Sequence, residues 1–234
     1  SDSWLRVCLR RHRLIKRYMK FLTLFALSLF TGSAISSQAA ESYLVMEANT
    51  GRVLLSYNTE KKRPVAGLTK IAAARVTLDW ASLSGTSLSS YIIVPQCASL
   101  LMGPNPMQLM PGDRIQLRDA LYAALLSADS IAAHTLSVHV GQAILQKRQL
   151  AGDAKKTFVY EMNQLAKSLG MRRTRFTNAH GLDSDSRRAY STASDIARIS
   201  VHVMRDVGFA FYVKQPNRTV TIVNNSGAKR SYLL

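Results

Sequence analysis

Residues 63–74, Arg63-Pro-Val-Ala-Gly-Leu-Thr-Lys-Ile-Ala-Ala-Ala74, decide how the rest of this 234-residue chain is read. Pro64 cannot continue a helix from upstream, and the alanines at 72–74 are strong helix formers, so a helix is predicted over Leu68–Trp80. Upstream, two β-rich runs within residues 42–57 flank Asn49-Thr50-Gly51 and read as a hairpin. Downstream, Ser82–Ser90 reads as a loop and Tyr91–Val94 as a short strand. Turns are predicted at Gly103-Pro-Asn-Pro106 and Pro111-Gly112. Arg118–Val140 carries the strongest helical pattern, broken near Ser127–Ser130. Phe158–Leu169 is another helix, closed by Gly170. Ser191-Thr-Ala-Ser-Asp195 opens a further helix through Met204, with Ser191 or Thr192 as its cap. Thr219–Val223 is a strand, Asn224–Gly227 a turn and Arg230–Leu234 the start of a partner strand, so the chain is expected to stop in mid-hairpin. The order of hairpin, central helices and then strands again is α+β.

The first forty residues differ in kind from the rest. Residues 1–20 hold seven bases, Arg6, Arg10, Arg11, Arg13, Lys16, Arg17 and Lys20, against one acid, Asp2. An apolar run follows over Phe21–Phe30, then small residues to Ala40. Basic, apolar, small is the order of a secretory signal peptide. A run of about ten residues is too short to span a bilayer, which takes about twenty. Residues 1–40 are therefore expected to be a cleaved signal with an upstream extension, translation starting at Met19, and residues 41–234 the exported domain.

Composition narrows the function classes. Apolar residues at 47% support a packed core and exclude a chain dominated by disorder. The formal charge is +17, from 31 bases and 14 acids. Beyond the leader 24 bases and 13 acids remain, a net +11. Those bases stand in twos and threes, without interleaved aromatics or a nucleic-acid motif, so no nucleic-acid partner is expected. An anionic wall or membrane surface suits an exported basic protein better. Cys97 stands alone once Cys8 leaves with the leader, so a disulfide framework and a four-cysteine zinc site are both excluded.

Several blocks then carry a resemblance in one register across residues 42–234. The stretch at 63–74 resembles the Ser-x-x-Lys element of serine penicillin-binding proteins and β-lactamases. Ala48-Asn-Thr-Gly-Arg-Val-Leu-Leu55, Met107-Gln-Leu-Met-Pro-Gly112, Phe176-Thr-Asn-Ala-His-Gly-Leu182 and Tyr190-Ser-Thr-Ala-Ser-Asp-Ile-Ala197 resemble D-alanyl-D-alanine carboxypeptidases, the low-molecular-mass penicillin-binding proteins. The resemblance implies a β-lactamase/transpeptidase-like fold. That fold has a five-stranded antiparallel sheet flanked by helices, with a mainly helical subdomain at about 96–180 and the active groove between them. It also implies serine-type hydrolysis of peptidoglycan stem peptides in cell-wall biosynthesis, with no cofactor, and susceptibility to β-lactams.

Three catalytic elements are carried over by position. In the first, a serine and a lysine three residues apart share a helix face. A partly desolvated lysine takes the hydroxyl proton and makes serine a nucleophile. The resemblance makes Lys70 the base and Gly67 the nucleophile position, with its serine missing. The second element, Ser-x-Asn, falls on Ala128-Asp129-Ser130 when aligned through Ile131-Ala-Ala-His-Thr-Leu136; a one-residue shift offers Ser127-Ala-Asp129 instead. The third, Lys-Thr-Gly, does not occur within residues 1–234, and a C-terminally incomplete domain is expected. Non-covalent β-lactam binding is all that such a cleft would support. The implied reading is thus an impaired or inactive carboxypeptidase relative, a non-catalytic peptidoglycan-binding or scaffolding protein, or a truncated gene product. His134 and His139 lie on different helix faces and read as packed or surface residues. His180 reads as a loop-positioning residue, and Asp183 and Asp185 as solvated loop carboxylates.

Overall fold

A computed structural model describes residues 41–182 and 188–234; the leader reading at 1–40 and the carboxylates Asp183 and Asp185 lie outside the described residues. The N-terminal hairpin forms as predicted, β1 (Tyr43–Met46) pairing antiparallel with β2 (Val53–Tyr57) around Gly51 at φ +74°. A 3-10 turn (Ala66–Leu68) leads into α1 (Thr69–Ser84). Here the structure corrects the sequence reading. The helix continues through the first part of the expected Ser82–Ser90 loop, because Gly85, at φ +67°, ends it in a left-handed cap bonded to Ala81 and Ser82 carbonyls.

Helix α1 is buried along much of its length, with Lys70, Ala72, Ala73, Ala74, Val76, Thr77 and Ala81 all inside. Its small side chains let α2 (Leu117–Leu126), α3 (Ser130–Arg148) and α4 (Ala154–Ser168) pack around it. The predicted break near Ser127–Ser130 separates α2 from α3, and α3 runs eight residues beyond Val140. Helix α4 begins four residues before Phe158, where Asp153 accepts hydrogen bonds from the Lys155 and Lys156 N–H groups. Helix α5 (Ala193–Arg205) is capped by Thr192, which accepts from the Asp195 N–H. The short α6 (Val207–Val213) was not foreseen; Asp206 caps it and buries Phe209 and Tyr212.

The sheet also departs from expectation. Instead of one five-stranded sheet, the described residues form β1–β2 and a separate four-stranded antiparallel sheet. The latter has β3 (Tyr91–Ile93), β4 (Arg114–Gln116), β5 (Thr219–Val223) and β6 (Lys229–Leu233) in that order. Its register explains why: Ile92 faces Ile115, which faces Ile222, giving a cross-strand row of isoleucines at most 1% exposed against the helices. Strand β4, only three residues long, carried too little alternation to be read. Residues 96–180 do hold α2, α3 and α4, but β4 within them draws in β3 from before and the β5–β6 hairpin from after. That hairpin is whole, every residue of β5 being paired and Arg218 and Leu234 exchanging both backbone hydrogen bonds. Strand β6 thus begins at Lys229, one residue before the expected Arg230. By contrast β2 is exposed at all five positions, Val53, Leu54 and Leu55 each being more than half accessible.

Candidate active site

Three segments meet at the start of α1. The first is the turn at residues 66–68, which holds Ala66 at φ +40°, a left-handed conformation that costs an L-residue about 1–2 kcal/mol. Gly67 needs no such freedom, since its φ is ordinary and a Cβ built there meets nothing within 4 Å. The site therefore has room for a side chain at 67 that the sequence does not supply. One turn further, Lys70 is 5% exposed and its Nζ donates to the His180 carbonyl at 2.8 Å.

The second segment is the loop at residues 178–182. Asn178 Oδ1 accepts from the His180 and Gly181 N–H groups and fixes a tight turn. Gly181 is obligatory at its position. Its φ is +80°, and a Cβ would lie 1.9 Å from the Ala66 carbonyl oxygen. This backbone-to-backbone contact presses the His180 carbonyl onto the Lys70 amine.

The third segment is the α2–α3 junction, where the sequence placed Ala128, Asp129 and Ser130. Ala128 is again left-handed, at φ +55°. Asp129, fully buried, caps α3 by accepting from the Ala132 N–H at 2.8 Å and also accepts from the Met107 N–H at 3.2 Å. The Ser130 N–H donates to the Pro104 carbonyl at 2.7 Å, whereas its buried hydroxyl has no partner among the described residues. Ser127, the serine of the shifted alignment, donates its hydroxyl back to the Ala123 carbonyl at 2.7 Å. Gly103 closes the junction, a Cβ there falling 2.5 Å from the Leu182 side chain and 3.1 Å from Ser130 Cβ.

Burial dominates the electrostatics. It pushes the Lys70 amine below the usual lysine range, opposed by the charge of Asp129. It pushes Asp129 up, opposed by the hydrogen bonds it accepts and by Lys70. Each group is thus moved toward its neutral form, the direction that a lysine base requires. His180 and His134 are driven down to about 4, chiefly by burial. Their rings lie 5.9 Å apart, and His134 Nε2 pairs with Cys97 Sγ at 3.3 Å, a contact with no signature in the residue pattern. His139 stacks edge-on against Trp80. Among the described residues no cluster of His, Cys, Asp or Glu is arranged to hold a metal ion.

The family model described as D-alanyl-D-alanine carboxypeptidase matches residues 30–230. The chain belongs to this family. Among curated relatives, the D-alanyl-D-alanine endopeptidase of Pseudomonas aeruginosa is 30% identical over 87% of this chain and 64% of its own length. The D-alanyl-D-alanine carboxypeptidase DacC of Escherichia coli is 29% identical over 85% of this chain and 51% of its own. This family member therefore spans about half to two thirds of the length of those relatives. Among solved structures, a Streptomyces DD-transpeptidase superposes with a TM-score of 0.71 at 25% identity, covering 83% of this chain and 72% of that one. A Mycobacterium tuberculosis D-alanyl-D-alanine carboxypeptidase gives 0.67 at 24% identity over 87% and 68%, a likeness of fold. The fold is accordingly transpeptidase-like, antiparallel sheets flanked by helices. The relatives carry three reaction names, so family membership alone does not select one.

Proposed function

We propose that this D-alanyl-D-alanine carboxypeptidase relative is an exported, cell-envelope protein that recognises peptidoglycan stem peptides without turning them over. One observation carries the reading: a buried, partly desolvated Lys70 is held at the head of α1 beside open space at residue 67, where glycine offers no hydroxyl. Ser-to-none replacement removes the covalent step, which in a serine protease costs on the order of 10⁶ in turnover. Binding and bond-making reside in different groups, so a cleft of this shape retains recognition after the chemistry has gone. The altered second element, Ala128-Asp129-Ser130, fits the same reading, because Asp129 is committed to capping α3 and only Ser130 keeps a hydroxyl free of partners. The basic leader followed by an apolar run, and a net +11 beyond it, support export toward an anionic wall.

Acylation by a fluorescent penicillin tests this directly. The purified protein is expected to give no covalent adduct while co-sedimenting with purified wall material in a saturable way. An adduct on any side chain would establish a working nucleophile and defeat the proposal. Failure to sediment with wall material would leave a fold without the recognition assigned to it, which is the outcome expected of a merely truncated gene product.

A further inference from the structure

A cavity of about 810 Å³ lies between the 3-10 turn Gln96–Leu100, α3, the first turns of α4 and the 178–182 loop. Neither Gly67 nor Lys70 lines it. One wall is apolar, built by Leu101 and Leu182 together with Leu100 and Met102, which stand 82% and 95% exposed at its rim. The opposite wall is polar. The Leu182 N–H donates to His180 Nδ1 at 3.2 Å, so the proton of the neutral ring sits on Nε2. His180 is 6% exposed, and that Nε2–H has no protein acceptor among the described residues. His180 lines the cavity, where a ligand oxygen can accept from that N–H in place of solvent.

Charge points the same way. Lys155 and Lys156 both line the cavity, and among the described residues neither ammonium has a salt-bridge partner. Asp153, the one carboxylate on the lining among the described residues, is already engaged by the N–H groups of Lys155 and Lys156. The local potential is positive, since Lys155 acts to lower the proton affinity of both His134 and His180, and Lys70 acts on His180 as well. Cys97, hydrogen-bonded to His134, completes the titratable groups facing this space among the described residues.

We propose that this cavity binds an amphipathic carboxylate. Its anionic end is received by Lys155, Lys156 and the His180 Nε2–H, and its apolar arm covers Leu100, Met102 and Leu182. The chemistry is shared by a fatty acid and by the C-terminus of a small apolar peptide. The inference does not depend on the catalytic competence of the Gly67 site.

Calorimetric titration of the whole protein with octanoate tests it, with octanol as the uncharged counterpart and iodoacetamide alkylation of Cys97 followed by mass spectrometry as a local reporter. Saturable octanoate binding about tenfold tighter than that of octanol is expected, together with slowed alkylation of Cys97. The double variant Lys155→Ala/Lys156→Ala, changed only at solvent-facing ends of α4, is expected to lose about tenfold. Affinity is expected to change little between about pH 7.5 and about pH 5.5, because His134 and His180 stay neutral down to about 4 and the carboxylate stays ionised. N-acetyl-D-alanyl-D-alanine displacing octanoate would assign the site to peptide ends; failure to displace it would assign the site to fatty acids. Equal binding of octanoate and octanol, unprotected Cys97, or a double variant of unchanged affinity would each overturn the proposal.

Discussion

Two glycines face each other across the site and obey opposite constraints. Gly181 cannot change, because its left-handed φ and its 1.9 Å Cβ distance to the Ala66 carbonyl leave no place for a side chain. Gly67, on the turn that Gly181 touches, has an ordinary φ and open space around it. The comparison separates two demands on one contact. Holding the His180 carbonyl against Lys70 is a requirement of the backbone, whereas equipping the turn with a reactive group is a requirement of one side chain. The backbone contact does not depend on the side chain at 67, so the same architecture is compatible with either a bare or an equipped turn.

Substitution at the two glycines gives the largest expected effects. Under the proposed reading, Gly67→Ser is expected to create penicillin acylation at residue 67, a gain on the order of 10⁶ in rate. Intact-mass measurement after incubation with a β-lactam reads it, and the same variant carrying Lys70→Met should lose it again. Gly181→Ala is expected to destabilise by about 3 kcal/mol or more, measured by urea unfolding, while Gly67→Ala shifts stability by less than about 1 kcal/mol. Equal costs at the two positions would erase the distinction.

Smaller effects sharpen the same contrast. His134 and His180 hold pKa values of about 4 when folded, against 6.5 for the free side chain. The unfolded chain therefore takes up protons first as pH falls. The stability contributed by these two neutral rings is full above pH 6.5 and drains away as pH falls through about 4. Denaturant midpoints at intervals across that window should show the slope, and His134→Leu should flatten it by about half. Smallest of all, Ala66→Gly relieves a left-handed alanine at the turn and is expected to stabilise by at most about 1 kcal/mol, part of the gain being lost to the freer unfolded chain.

Much of the fold was legible because its signals are local. Gly170 marked the end of α4, Thr192 the start of α5, and the alanines at 72–74 the buried helix against which three others pack. What stayed hidden depends on partners distant in sequence. Strand β4 is three residues long and exists because Ile115 sits between Ile92 and Ile222. Helix α6 has seven residues and one cap, too few to show a period. Within the site, sequence spacing placed residue 67 and Lys70 on one helix, but the acceptor of the Lys70 amine is a backbone carbonyl 110 residues away, and no side-chain pattern encodes a carbonyl. The Cys97–His134 contact was likewise invisible, since it joins a 3-10 turn to a helix 37 residues on. Asp129 was read only as a substituted motif position, although an Asp immediately before a helix break is also the mark of an N-cap.

Strand β2 carries a practical consequence. Its valine, two leucines and tyrosine stand in water on a ribbon that, among the described residues, pairs with β1 alone, leaving the outer row of peptide groups available to any second ribbon that comes alongside. Concentrated samples should scatter light before dilute ones do, and a single lysine introduced at Leu54 should keep them clear.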